Sequence, residues 1–447
     1  MRYRLRFAAA VMAVLALLAF SPVSDAQAQE QPEPPTWFVD ETRLPFDPLP
    51  GFEDAVQHWG IHQDAGFRVE VPADWNGDLV MWAHGFRGDG LELTVDNHPI
   101  REYLLANGYA WGASSYTENG YNVLSGVKST ARLARMTERD LLPQEPNRVY
   151  VTGASMGGHV TALSIERFSN LYDGALPICG VLGDYHLFDF FLDFNLVAQQ
   201  LGTGSAQLPV DPAVYFGSTV PSIISNLEAL PGTWPLALNE SGEQLKTFTE
   251  IVTGGDRPNY DEAWAFWNSG DLPFLFTLGV GDGTLPNSNG QSVLNNAWRN
   301  YRLDFEPGIS ADEEALNAAL PRLTVEPGAR KSERISGNIS DPVLTLHNLG
   351  DLFVPFDMEI RYAIDVAEAG NSDLLVQRAI RGVGHCDFTD FELETGFGDL
   401  VRWVEDGLKP GGDVILDRAA VADEDYGCAF SDPDPSLHIL AVPCAPR

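Results

Sequence analysis

Gly153-Ala154-Ser155-Met156-Gly157 sets a serine between glycines, directly after the strand-like run Arg148 to Thr152 and directly before a helix-like run. A serine on such a tight strand-to-helix turn is lifted clear of its neighbours, and the helix N-terminus favours developing negative charge. Its hydroxyl is a weak nucleophile at neutral pH, so the chemistry also needs a base, and an acid to orient that base. Of the nine histidines, His385 fits best, in a Gly384-His385-Cys386 loop between a strand-like run and the last helix. His84 and His159 read as hydrogen-bonding residues that organise loops. His58, His62, His98, His186, His347 and His438 read as surface or core histidines. The run Leu346-His347-Asn348-Leu349-Gly350-Asp351 places Asp351 just past a strand, as the acid. Asp387 is the alternative acid, but it lies too near His385 in sequence to reach the ring easily. A tetrahedral oxyanion would need backbone donors, each worth about 3 kcal/mol. Trp82-Ala83-His84-Gly85-Phe86 ends a strand-like run, so the N–H groups of Phe86 and Met156 are the expected pair.

These loops need a sheet to hold them. Strand-like runs at Phe67 to Val71, Leu79 to Ala83, Tyr109 to Ser114, Arg148 to Thr152, Leu176 to Leu182, Val343 to Leu346 and Leu374 to Ile380 alternate with helical spacing. The helical patterns fall at Ile100 to Ala106, Val123 to Leu142, His159 to Phe168 and Met358 to Ala367. This rhythm predicts an α/β fold, a mostly parallel open sheet with helices on both faces. It spans 51–183 and 342–408. Between the two parts, 184–341 reads as an inserted, mainly helical cap, with Phe188, Phe190, Phe191 and Phe194 at helical spacing and a capping box at Ser310 and Glu313. Phe188, Phe191, Trp264 and Trp267 are the aromatics expected to face a substrate. A second capping box at Thr389 and Glu392 opens the last helix, with Leu400, Val401 and Val404 on one face. Residues 29–50 read as an N-terminal arm and 409–447 as a tail.

The strand–His-Gly-Phe loop, the Gly-Ala-Ser-Met-Gly-Gly elbow, the Gly-Asp-x-x-Val-Pro acid loop and the Gly-His-Cys loop occur in one order. Together they resemble the α/β-hydrolases of the secreted esterase and prolyl-oligopeptidase-like group. The resemblance covers about residues 60–183 and 341–408. It implies acyl transfer to Ser155, with His385 as base and then acid, Asp351 orienting it, and no metal or organic cofactor. The expected substrates are small or oligomeric carboxylic esters, pieces of polyesters included, because the cap is rich in Phe, Trp and Leu and shows no basic cluster. A serine peptidase or amidase is the alternative.

Lys and Arg total 28 against 63 Asp and Glu, a net charge of −35. A surface so acidic repels a phosphate backbone, which argues against nucleic-acid binding. Arg2, Arg4 and Arg6, the apolar run Phe7 to Phe20 and Ala26-Gln27-Ala28 have the layout of a signal peptide over 1–28. No later segment is apolar for long enough to span a bilayer, so the expected product is exported, periplasmic or extracellular. Nothing in the sequence speaks to oligomeric state. Export permits disulfides, and four cysteines allow three pairings. Cys428 with Cys444 and Cys179 with Cys386 are the expected pairs, free buried thiols the alternative. No Cys-x-x-Cys pair is present, and no metal site is expected.

Overall fold

The computed structural model describes residues 36–444; the expected signal peptide lies outside them. A short parallel pair joins β1 (Phe38–Val39) to β5 (Glu92–Leu93). The main sheet holds β2 (Val56–His62), β3 (Ala65–Val71), β4 (Asp78–Ala83), β6 (Ala110–Ser114), β7 (Arg148–Ala154), β8 (Gly174–Ile178), β9 (Val343–Asn348) and β10 (Leu375–Ile380). Its order is β2-β3-β6-β4-β7-β8-β9-β10. β3 runs antiparallel to both neighbours, and the pairs from β6 through β10 are parallel.

The central strands are apolar on both faces because both faces are covered. One face packs on α2 (Val123–Met136), α3 (Met156–Arg167) and α11 (Asp357–Glu368) through Ala131, Leu133, Ile165, Met358 and Tyr362. The other packs on α1 (Arg101–Ala106) and α12 (Asp390–Asp406) through Leu104, Leu105, Phe397 and Leu400. Both expected capping boxes form, at Ser310 with Glu313 and at Thr389 with Glu392.

Between β8 and β9 the chain forms α4 (His186–Thr203), the single turn α5 (Pro212–Val214), α6 (Val220–Leu227), α7 (Glu240–Thr253), α8 (Tyr260–Trp267), α9 (Phe274–Thr277) and α10 (Ala311–Ala319). These helices bury a core around Phe190, Phe194, Phe248, Trp264 and Phe276, which Leu352 and Val383 from the loops after β9 and β10 join.

Four expectations change. The run expected as a strand from Leu176 to Leu182 stops at Ile178, because Cys179 turns to φ 43°. The helix expected to Leu142 ends at Met136 and continues as a wider turn over Thr137–Leu141. β2 lies outside the strand-like runs of the sequence. It is an edge strand whose Val56, Trp59 and Ile61 face solvent, so burial imposes no clean alternation on it. In the described part of the 29–50 arm, the β1–β5 pairing and buried Leu44 dock the chain against the core.

Candidate active site

Ser155 joins β7 to α3 with φ 60° and ψ −124°, a conformation costing a non-glycine residue about 1–3 kcal/mol. Its N–H donates to the Ile178 carbonyl at 3.0 Å, and its carbonyl accepts from the Gly158 N–H at 2.9 Å, which fixes the turn from both sides. The glycines after the serine answer to close packing. A Cβ on Gly157 would lie 2.0 Å from the Ala83 carbonyl oxygen, and one on Gly158 2.5 Å from the Gly180 Cα. Only bare backbone lets α3 start this close to the ends of β4 and β8.

The loops after β7, β9 and β10 meet at the C-terminal edge of the sheet, where open α/β sheets bind ligands. His385 Nε2 lies 2.8 Å from Ser155 Oγ, and His385 Nδ1 lies 2.6 Å from Asp351 Oδ2. Asp351 is fully buried, and its other oxygen accepts the N–H groups of Phe353 (2.9 Å) and Val354 (3.0 Å). The carboxylate is therefore held by its own loop while it holds the imidazole. Backbone bonds join the acid and histidine loops, Leu349 N–H to Ile380 O and Gly350 N–H to Gly382 O, both 2.9 Å. A disulfide between Cys179 and Cys386, with Cα atoms 5.3 Å apart, ties the residue after His385 to the end of β8. The second disulfide joins Cys428 to Cys444. Both are the expected pairs.

A serine hydrogen-bonded to an imidazole that a buried carboxylate orients can transfer an acyl group: the imidazole takes the hydroxyl proton as Oγ attacks and returns it to the leaving group. Sheet order, the nucleophile on a strand–helix elbow, and the chain order serine, aspartate, histidine now stand together. The chain has the α/β-hydrolase fold.

No family model matches the chain. Among curated proteins, the o-phthalyl amidase of Xanthobacter agilis is 21% identical over 404 residues, 77% of this chain and 86% of that protein. Among solved structures, feruloyl esterase B from Aspergillus oryzae is 16% identical, with a TM-score of 0.47 over 79% of this chain and 81% of that one. An esterase from the same organism is 14% identical, with a TM-score of 0.49 over 81% of each chain. The acylaminoacyl peptidase of Pyrococcus horikoshii is 10% identical, with a TM-score of 0.36 over 74% of this chain and 37% of that one.

The other residues singled out in the sequence fall into three groups. The first belongs to the loop after β4. A Cβ on Gly85 would stand 3.6 Å from Ser155 Oγ, so the loop bearing Phe86 lies against the serine. Met156 opens α3, where a first-turn N–H has no partner within the helix. His84 organises the loop: its Nδ1 and Nε2 lie 2.7 and 3.2 Å from the Gly85 and Ser115 carbonyls, and Tyr116 stacks on its ring. Burial pushes its pKa well below the ordinary imidazole value.

The second group is aromatic. Phe353, two residues after Asp351, meets the His385 ring edge to face at 5.1 Å. From it a line of rings runs through Phe191 (6.0 Å) and Phe188 (5.9 Å) to Tyr121 (5.0 Å). Another reaches Phe274 at 5.0 Å. Phe188 and Phe191 keep part of their surface open. Phe353 and Phe274 lie outside the expected set; a Phe flanking the acid is the one available signal. Trp264 and Trp267 are a correction. They are 2% and 3% exposed, and each spends its N–H on backbone. Trp264 donates to Pro235 O at 3.1 Å. Trp267 donates to both Gly350 O (2.9 Å) and Val383 O (2.8 Å), spanning the acid and histidine loops.

The third group does not reach the site. Asp387 turns its carboxylate to the Ile439 N–H, at 3.0 and 3.1 Å, away from the imidazole. His159 accepts from the Tyr121 hydroxyl (2.9 Å) and donates to Glu333 O (2.7 Å), and burial lowers its pKa to about 4. His58 and His62 are four residues apart, but on the extended strand β2 that spacing separates them by about 13 Å.

Proposed function

We propose that this α/β-hydrolase cleaves carboxylic esters through an acyl-enzyme on Ser155, with His385 as general base and then general acid and Asp351 orienting it. The observation that carries the reading is the continuous hydrogen-bonded chain from Ser155 Oγ through His385 to the buried Asp351. The N–H groups of Phe86 and Met156 are the assigned oxyanion donors, and water releases the acid.

The rings beside His385 suit an apolar acyl group, with each buried methylene worth about 0.8 kcal/mol. Small esters and soluble pieces of polyesters fit that surface, and 184–341 acts as the cap that shapes it. Amide hydrolysis is the second reading, favoured by the similarity to an amidase. Export is supported by two disulfides, which persist in oxidising compartments. Among the described residues no helix is long and apolar enough to cross a membrane.

The test is a panel of p-nitrophenyl esters of rising acyl length beside aminoacyl p-nitroanilides and an o-phthalyl amide. Ester turnover that climbs with chain length while the amides stay silent is the expected result. Turnover of the amides alone selects the second reading, and a chain inert to all of them sinks both. Phe188→Ala and Phe191→Ala are expected to flatten the chain-length preference of at least one variant, by about 4- to 15-fold for one to two methylenes of lost contact, and to leave acetate turnover within about threefold.

A further inference from the structure

Asp387 sits two residues after His385 and is gripped from two sides. Asn348, at the end of β9, donates from Nδ2 to the Asp387 carbonyl (2.9 Å) and accepts the Asp387 N–H on Oδ1 (3.1 Å). From the other side comes the stapled C-terminal tail. His438 Nδ1 lies 2.9 Å from the same Asp387 carbonyl, and the Ile439 N–H donates to the Asp387 carboxylate. Ile439 also fills the space over Gly384, where a Cβ would stand 2.7 Å from its Cδ1. Val442 packs into the core of the helical segment. The loop carrying the imidazole therefore has the tail as one of its walls.

The His438 side chain is 1% exposed. Its second nitrogen, Nε2, lies 3.1 Å from Glu392 Oε1, at the start of α12. Both partner atoms, a carbonyl and a carboxylate oxygen, only accept. A neutral imidazole carries one N–H, so only the imidazolium donates to both. Asp387 from the histidine loop, 3.6 Å away, and Glu392 from α12 are the charged groups facing it. From the tail, Asp432 contributes only its N–H, to the same Glu392 oxygen at 2.8 Å.

We propose that the C-terminal tail is a positioning element for His385, latched by a protonated His438 that bridges the Asp387 carbonyl and the Glu392 carboxylate. This rests on the reading of Ser155 and His385 as reacting groups. Burial alone would discharge His438, but hydrogen bonds and attraction to Asp387 and Glu392 outweigh it and bring its pKa up to about 10. The folded value lies above the unfolded one. The latch therefore contributes fully below the ordinary imidazole pKa, and its contribution is lost as pH rises through about 10.

The test measures the rate at which a fluorophosphonate probe labels Ser155, read by intact mass from pH 7 to 10.5, beside kcat and KM on an ester that the parent turns over. The parent rate is expected to fall near pH 10. His438→Gln is expected to label about tenfold more slowly at pH 8, to lower kcat with KM unchanged, and to lack the fall near pH 10. A folded His438→Gln that keeps the parent rate and pH profile overturns the latch. Should that variant not fold, the imidazole resonances of parent His438 decide: a neutral ring at pH 8 overturns the proposal, and a ring that discharges together with the loss of labelling supports it. A parent that the probe never labels overturns the Ser155 reading, and the latch with it.

Discussion

The sheet and the helical segment between β8 and β9 each bury a core, but they constrain their residues differently. In the sheet, backbone passes backbone at distances no side chain survives, as at Gly157 against Ala83. In the helical segment such an approach occurs at Gly242 against the Leu227 carbonyl, but large side chains pack on one another and buried carboxylates take cationic partners: Asp189 with Arg330, and Asp193 with Arg299. The first kind of packing dictates residue identity almost position by position. The second asks only for volume and paired charge, so many sequences meet it. A reacting group placed to tenths of an ångström belongs in the first kind, and Ser155, Asp351 and His385, the residues proposed to react, all sit on loops at the sheet edge.

The sharpest contrast is chemical. Ser155→Ala is expected to leave the fold intact and lower hydrolysis by about 10⁴-fold or more. Asp351→Asn should cost about 10⁴-fold, because an amide favours the wrong tautomer, while Asp387→Asn should cost about tenfold, the difference between holding the ring and holding its loop. Steady-state kinetics on one ester would measure all three. If Asp387→Asn proves the more damaging, the acid has been misassigned.

Next comes packing, read by urea denaturation. Gly157→Ala should destabilise by about 3 kcal/mol, as overpacking against rigid backbone does. Gly217 has nothing within 4 Å of where a Cβ would go. Gly217→Ala should change stability by no more than about 1 kcal/mol, and in the favourable direction. Equal costs at the two sites would erase the distinction between the regions.

Trp267→Phe tests where the two regions join. The ring stays and the shared N–H goes, leaving the Gly350 and Val383 carbonyls without that donor. The expected cost is about 1–3 kcal/mol of stability, together with slower acylation of Ser155. An unchanged acylation rate would make the tryptophan packing alone.

The smallest effect concerns buried charge in the sheet. Burial raises the Asp78 pKa to about 7, helped by a hydrogen bond and repulsion from Glu405. Its folded value lies above its unfolded one, so its contribution to stability is complete below about pH 4 and is lost as pH rises through about 7. Asp78→Asn should flatten the stability profile across that window; a profile that keeps its slope would mean that other groups set it.

This difference between regions also explains what the sequence disclosed. Gly153 to Gly158, Asp351 and His385 were legible because strand ends and backbone contacts restrict those positions. Phe353 and the two-sided grip on Asp387 were not, since nothing local marks a ring or a carboxylate that works through tertiary contact. Trp264 and Trp267 misled for a related reason. An aromatic at helical spacing reads the same whether it faces a substrate or a backbone carbonyl, and burial decides between them.

The Cys179–Cys386 bond has a topological consequence. One cysteine precedes the helical segment and the other follows it, 207 residues later, so the whole segment lies inside a single covalent ring. Closing a ring of that size restricts the unfolded chain by about 5 kcal/mol in the chain-entropy account. A protease that nicks the ring anywhere between the two sulfurs leaves one molecule, in which β7 with its serine stays bonded to the strand that carries the histidine loop. Such a nicked chain should run as a single band without reductant and as two with it, and the segment can be cut, or replaced by another insert, without parting the two halves of the sheet.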